Sequence, residues 1–244
     1  MRGARAVIVL AICVQLSGAL RAGTDWHARQ KKDRFVKAAR ADGYRSRAAF
    51  KLLQLDEMQP GPPLLKRGSL GLELGSAPGS WTQVMVSRGM DVVACDLLPM
   101  EPVEGSVFVL GDFTEPATQQ RLLDAMRGRL ADLIASDMSP NRSGHSSLDQ
   151  ARIGALVEAA VGVAQRALRP NGSLCAKLLQ GEEQRLLAHK LKASFATVQV
   201  VKPPASRKGS AEVFLVARGF RPSRAADAGA SSQELAEHSE WAPP

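Results

Sequence analysis

The alternation of apolar and polar positions changes period several times along this chain, and each change marks an element. Apolar runs of strand length fall at residues 70–74, 91–95, 107–110, 133–136 and 173–177. Between them, residues 81–87, 116–126 and 148–168 show the three- and four-residue spacing of amphipathic helices. Regular strand–helix alternation predicts a parallel sheet covered by helices on both faces, an α/β fold. Two more β-rich runs, 197–201 and 212–217, are joined by KPPASRKGSA, whose length and prolines allow an antiparallel hairpin at one sheet edge. The sheet then has seven strands. Upstream, residues 33–40 and 46–58 read as helices, the second with Ala49, Leu52, Leu53 and Met58 recurring at helical spacing. Pro60, Gly61, Pro62 and Pro63 then break the chain.

Outside this alternation the composition shifts. Residues 1–22 carry Arg2, Arg5 and Arg21, no acid, and an apolar centre at 6–16 too short to span a bilayer. A basic start, a short apolar centre and small residues near 17–22 predict a cleavable targeting segment, secretory, mitochondrial or plastid by shape alone. Residues 23–43 are strongly basic. The stretch 219–244 is rich in Ala, Ser and Pro and reads as a disordered tail. The expected organisation is a presequence at 1–22, one domain at 23–218 and the tail, with no internal repeat and no membrane span.

Hydrophobic residues make up 45% of the 244 positions, enough for a core. The formal net charge of +8 suits a polyanionic partner. Of the three cysteines, Cys13 lies in the presequence, while Cys95 and Cys175 sit in strand-like runs and read as buried thiols. No Cys/His cluster has metal spacing, so no metal is expected.

The strongest local signal is LGLELGSAPGSW at residues 70–81, a strand entering a glycine-rich turn that opens a helix. Ligands of open α/β sheets sit over such turns. Gly75 and Gly79 let the backbone approach a ligand closely. The spacing is G-x-x-x-G rather than G-x-G-x-x-G, which disfavours a dinucleotide and a nicotinamide-dependent oxidoreductase. Asp96 ends the next strand, 21 positions after Gly75, where an acid accepts hydrogen bonds from ribose hydroxyls. Asp112, in VLGDF, ends the third strand, where it suits the exocyclic amine of adenine. Asp137 follows the fourth strand in LIASDMSPN. Lys177 closes the fifth, where an ammonium must be paired or neutral. The last strand starts at Glu212, and the early helix contributes Lys51.

In their order along the chain, GYRSRAAFKL, LGSAPGSW, ACDLLPMEPVEG, GDF, SDMSPN, AKLLQGE and PASRKGSAEV closely resemble the RrmJ/FtsJ family of RNA 2′-O-ribose methyltransferases, from about Asp33 to Arg218. The presequence and compact length look most like its mitochondrial large-subunit rRNA uridine methyltransferase branch. The resemblance implies the Rossmann-like class I methyltransferase fold and S-adenosyl-L-methionine as cofactor. It implies a catalytic tetrad of Lys51, Asp137, Lys177 and Glu212, and cofactor contacts at Gly75, Gly79, Trp81, Asp96, Asp112 and Asp137. Lys177 would be the general base or the group that orients the ribose hydroxyl. Departures are small: Ser76 and Ser80 stand where Ala and Gly are usual, Ser139 where Ala is, and Leu179 where Phe is.

The implied partner is ribosomal RNA or a large-subunit precursor, met by a monomer in the mitochondrion. A plastid, or a bacterial-type cytoplasm if the leader is retained, are the alternatives. Arg45, Arg47, Arg207 and Lys208 are expected to contact phosphates at the entrance to the site. With 5% aromatics, no extensive base-stacking platform is expected. A non-catalytic RNA-binding assembly factor, and a methyltransferase of tRNA or the mRNA cap, are the competing functions.

Overall fold

In the computed structural model, the structure describes residues 33–58, 60–139 and 143–222. The presequence and residues 223–244 of the expected tail lie outside these residues, whereas Gly219 and Phe220, expected in the tail, belong to the last strand, because Phe220 packs into the core beside Phe195. Helices α1 (Arg34–Ala41) and α2 (Ala49–Glu57) precede the sheet. There follow β1 (Leu70–Leu74), α3 (Ser80–Ser87), β2 (Asp91–Asp96), β3 (Ser106–Leu110), α4 (Pro116–Ala125), β4 (Ala131–Ser136) and α5 (Ser146–Ala167). Then come β5 (Leu168–Leu179), α6 (Glu182–Leu191), β6 (Phe195–Val201) and β7 (Glu212–Phe220).

The seven strands lie in the order β3-β2-β1-β4-β5-β7-β6. All pairings through β5 are parallel, and β7 runs antiparallel to both β5 and β6. The predicted hairpin therefore exists, with its second strand inserted between β5 and the edge strand. Chain order reverses between β1 and β4, and the crevice beyond their carboxyl ends is where such sheets bind ligands.

Side-chain alternation in the strands supplies two cores. Leu74, Ile134, Leu174 and Ala176 face the layer formed by α4, α5 and α6. Leu133, Ala135, Cys175 and Phe214 face Leu52, Leu55, Trp81 and Val84 of α2 and α3. Helix α2 shows what holds these helices. Its N-cap, Ala48, makes no side-chain cap bond, and such a bond is worth about 1 kcal/mol. Leu52 and Leu55 are fully buried, each contributing roughly 1.5–3 kcal/mol. Packing, not capping, fixes α2. Trp81 secures the same end, its Nε1 donating to the Ala48 carbonyl at 2.8 Å while its ring packs on Phe214 at 5.8 Å.

Two features differ from the sequence expectation. Helix α6 was not predicted; its signals were Glu182 and Glu183 in the first turn and His189 and Lys190 in the last. Strand β5 begins five residues earlier than expected, because Ala131 pairs with Leu168 and Leu133 with Ser173 across a bulge. Cys95 and Cys175 are buried free thiols, each pushed up to about 12, first by burial. Among the described residues no helix is long and apolar enough to cross a membrane.

Glu73 was not singled out by sequence. It is 2% exposed on β1, and the Thr82 hydroxyl donates to its carboxyl at 2.5 Å. Burial first, and then the charges of Asp137 and Asp96, raise its pKa from 4.5 to about 8 against the Thr82 bond. The folded chain thus retains a proton that the unfolded chain releases. Its contribution is complete below about pH 4.5 and is lost as pH rises through about 8. Glu73→Gln should flatten a stability slope on the order of 1 kcal/mol per pH unit across this window. Denaturant unfolding at pH 5 to 9 tests this, and a level wild-type profile would contradict it.

Candidate active site

The glycine turn after β1 is shaped by backbone geometry that side chains resist. Gly75 has φ +80° and Gly79 has φ +104°. A Cβ at Gly75 would lie 2.0 Å from Met138 Cγ, and one at Gly79 would lie 2.6 Å from Arg45 Nη1. The turn therefore touches both the loop carrying Asp137 and the segment leading to α2.

Acidic groups continue along the carboxyl edge. Asp96 accepts from the Ala77 amide through Oδ2 and from the Leu98 amide through Oδ1, both at 2.8 Å. It pins the glycine turn to the loop after β2. Asp112 stands two residues beyond β3 rather than at its end, and Oδ1 accepts from the Thr114 amide and hydroxyl at 2.9 and 2.7 Å. Each carboxylate oxygen has two lone pairs, so acceptor capacity remains at both residues. A glycine turn beside a row of carboxylates fits a nucleoside with a ribose diol, an exocyclic amine and a positive charge. Trp81 is not at this edge by its side chain, which is 2% exposed and packed in the core.

Four charged side chains converge next to the turn. The Lys51 ammonium from α2 donates to Asp137 Oδ2 at 3.2 Å and to Glu212 Oε2 at 2.9 Å. The Lys177 ammonium at the end of β5 meets Asp137 Oδ1 at 3.0 Å and donates to the Asp137 carbonyl at 2.5 Å. Side-chain exposure is 7% for Lys177, 11% for Lys51 and 16% for each acid. Two positive and two negative charges thus share a largely dry site and sum to zero. Burial by itself would raise the Glu212 carboxyl. The Lys51 charge and hydrogen bond, the Ser206 hydroxyl at 2.7 Å and the Lys177 charge hold it below the usual carboxylate range.

The basic residues assigned to phosphate contact divide. Arg45 is engaged within the protein, donating to the carbonyls of Pro78, Glu101 and Pro102 at 2.9, 2.6 and 2.8 Å. It braces the glycine turn against the loop after β2. Arg47 is likewise internal, bonded to Asp33 and to the Ala205 carbonyl, and burial, with Arg207 nearby, lowers its pKa. Neither arginine is free to hold a phosphate as the sequence suggested. Arg207 remains 44% exposed, and Lys208, Arg34, Lys37 and Arg40 are exposed as well. Of the departures from the usual motifs, Ser80 bonds Ser46 side chain to side chain at 2.7 Å, joining α3 to the segment before α2. Among the described residues no cluster of His, Cys, Asp and Glu has metal-binding geometry.

This architecture is that of a class I methyltransferase. A crystal structure described as a ribosomal RNA methyltransferase from Plasmodium falciparum matches with a TM-score of 0.66 and 26% identity, covering 74% of this chain and 100% of that one. The fibrillarin pre-rRNA processing protein of Methanococcus jannaschii shares the fold alone, with a TM-score of 0.52 at 14% identity over 72% of this chain and 77% of its own. Residues 44–220 match the model of the FtsJ-like methyltransferases, and the chain belongs to that family. Curated relatives include proteins named ribosomal RNA large subunit methyltransferase E. That of Gluconobacter oxydans is 47% identical over 200 residues, 82% of this chain and 73% of the relative. That of Granulibacter bethesdensis is 47% identical over 198 residues, 81% and 84% of the two chains.

The close approach at Gly75 is testable by stability. Gly75→Ala should destabilise the fold by about 1–3 kcal/mol, combining positive-φ strain with displacement of Met138. Gly209, with open space around it and no positive φ, is the control. Gly209→Ala should shift stability by under about 0.5 kcal/mol. Equal denaturation midpoints for the two variants would overturn the account of the turn.

Proposed function

We infer that this protein transfers a methyl group from S-adenosyl-L-methionine to a ribose 2′-hydroxyl, that of a uridine in large-subunit ribosomal RNA. The observation that carries this reading is the meeting of Lys51, Asp137, Lys177 and Glu212 beside the Gly75 turn. Family membership and the names of the relatives support the methyl-transfer chemistry and the RNA substrate.

Gly75 and Gly79 would admit the cofactor's amino-acid end, with Asp96 taking the ribose diol and Asp112 the adenine amine. When bound, the cofactor supplies an electrophilic methyl group on a sulfonium centre. The residues of the chain must then hold the 2′-oxygen in line and provide for the proton that leaves as the oxygen–carbon bond forms. Lys177 is the group for this task. An ammonium has three donors; one goes to the Asp137 carbonyl while the Asp137 carboxylate lies beside it as an ion pair, which leaves a donor to hold the ribose oxygen. In its neutral form the same amine accepts the departing proton. Asp137 keeps Lys177 aimed and counters positive charge near the methyl group. Lys51 and Glu212 fix Asp137 in turn, because the Lys51 ammonium is shared between the two acids.

The exposed bases of α1, with Arg207 and Lys208, are suited to phosphate contacts that position the RNA strand without reading its sequence. The basic, acid-free composition of residues 1–22 supports action in the mitochondrion after removal of that leader. A non-catalytic scaffold is disfavoured, since it has no physical need of a largely buried Lys177.

Lys177→Ala leaves Asp137 paired with Lys51, so the fold should survive. Methyl transfer should fall by at least about 10²–10⁴-fold with cofactor affinity within a few-fold of wild type. Asp96→Ala should show the converse, weaker cofactor binding by about 1–3 kcal/mol in calorimetry. Retained turnover in the first variant, or unchanged binding in the second, would refute the respective role. Mapping 2′-O-methyl marks on mitochondrial and cytosolic rRNA, with and without the gene, tests substrate and compartment together. The expected result is loss of a single uridine mark in the mitochondrial large-subunit RNA.

A further inference from the structure

The loop between β6 and β7 is docked on the side of α2 that delivers Lys51. Arg47, Lys51 and Gln54 follow one another at helical spacing, so they line one side of α2 and of the turn leading into it. The outer two grip a single loop residue. Gln54 Oε1 accepts from the Ala205 amide at 2.6 Å, and Arg47 donates to the Ala205 carbonyl. Ala205 is fully buried there. The loop also closes on itself, the Ser206 amide donating to the Pro203 carbonyl at 2.8 Å.

This docking places the Ser206 hydroxyl. Ser206 is 5% exposed, and its Oγ donates to Glu212 Oε1 at 2.7 Å. Glu212 Oε2 accepts from the Lys51 ammonium at 2.9 Å. Each oxygen of the carboxylate thus has its own partner. A carboxylate held through one oxygen still turns about its terminal torsion, which is broad; a second donor fixes its plane. From Lys51 the contacts run on to Asp137 at 3.2 Å and from Asp137 to Lys177 at 3.0 Å. A loop anchor has no need of this hydroxyl, because Arg47 and Gln54 hold the loop through Ala205 without it.

We propose that Ser206 is a positioning residue for methyl transfer, fixing the carboxylate plane of Glu212 so that Lys51 holds Asp137 and Asp137 holds Lys177 towards the ribose oxygen. This role rests on the methyl-transfer reading of the site and extends it to a residue outside the tetrad. Charged groups face Glu212 from each element packed on it: Lys51 from α2, Arg47 from the turn before α2, Lys177 from β5, and Asp137 beyond Lys51. Burial pushes the Glu212 carboxyl up, and the Lys51 charge, the Lys51 and Ser206 hydrogen bonds and the Lys177 charge outweigh it. Without the Ser206 bond, one of the groups holding the carboxyl down is gone, and it takes its proton at higher pH.

The test is Ser206→Ala in the full-length chain, read by methyl transfer to large-subunit ribosomal RNA, by cofactor calorimetry and by carbon-13 NMR titration of the Glu212 carboxyl. Glu212→Gln identifies the carboxyl signal. In Ser206→Ala, kcat should fall by about tenfold or more, with KM and cofactor affinity within a few-fold of wild type. Glu212 should titrate at higher pH than in the wild type. Unchanged kcat, or an unchanged Glu212 midpoint, would overturn the role. If Ser206→Ala fails to fold, Gln54→Met decides, since it keeps side-chain length, removes the acceptor for Ala205 and leaves the tetrad in place. Its kcat should fall with cofactor affinity kept, and wild-type kcat in that variant would overturn the role. Turnover lost in Lys177→Ala but kept in Ser206→Ala sinks this role alone; a wild-type chain that transfers no methyl group sinks the methyl-transfer reading and this role with it.

Discussion

The carboxylate of Asp137 sits between two ammonium groups that come from widely separated parts of the chain. Everything around the site depends on that bridge. Lys51 is delivered by α2, which packs on one face of the sheet, while Lys177 is delivered by a central strand. Only docking of α2 through Leu52 and Leu55 brings the two within reach of one acid. Breaking one partner of a buried ion set costs about 3–5 kcal/mol, whereas an intact set contributes little against an apolar replacement. Stability alone does not explain such an arrangement.

The two ends of the sheet divide the electrostatic work. At the carboxyl ends, Asp96, Asp112 and Asp137 form an acidic row suited to a cationic nucleoside. At the opposite end, Arg169 and Arg218 flank a bulge and outnumber their acid. Between them, Glu73 is buried beneath the glycine turn, kept from ionising by burial and by the charges of Asp137 and Asp96. It is bonded to Thr82 and shielded from solvent.

Much of the fold was legible because its signals are local. Strand β1, the glycine turn and the seven-strand count follow from apolar runs and turn residues that need no partner to be read. Helix α6 was missed because its apolar positions are few and its polar positions many; its register is set by packing of Leu187 and Leu191 on the sheet. The candidate site divides in the same way. Lys177 and Asp137 were conspicuous as charges at strand ends. Arg45 and Arg47 were read as RNA contacts because a sequence shows a charge but not its partner, and the structure engages both with backbone carbonyls. Trp81 was likewise visible as an aromatic beside the turn, yet its ring belongs to the core.

By itself, the sequence determined the order of the strands and of every helix but α6, the glycine-rich turn and the identity of the charges near strand ends, since each depends on neighbours within a few residues. The tertiary structure alone decided which charges meet. It placed Lys51 on Asp137 across 86 positions and on Glu212 across 161, and it buried Glu73. The physical reason is that the strength of a charge is set by what surrounds it, and those surroundings exist only once distant segments have packed together.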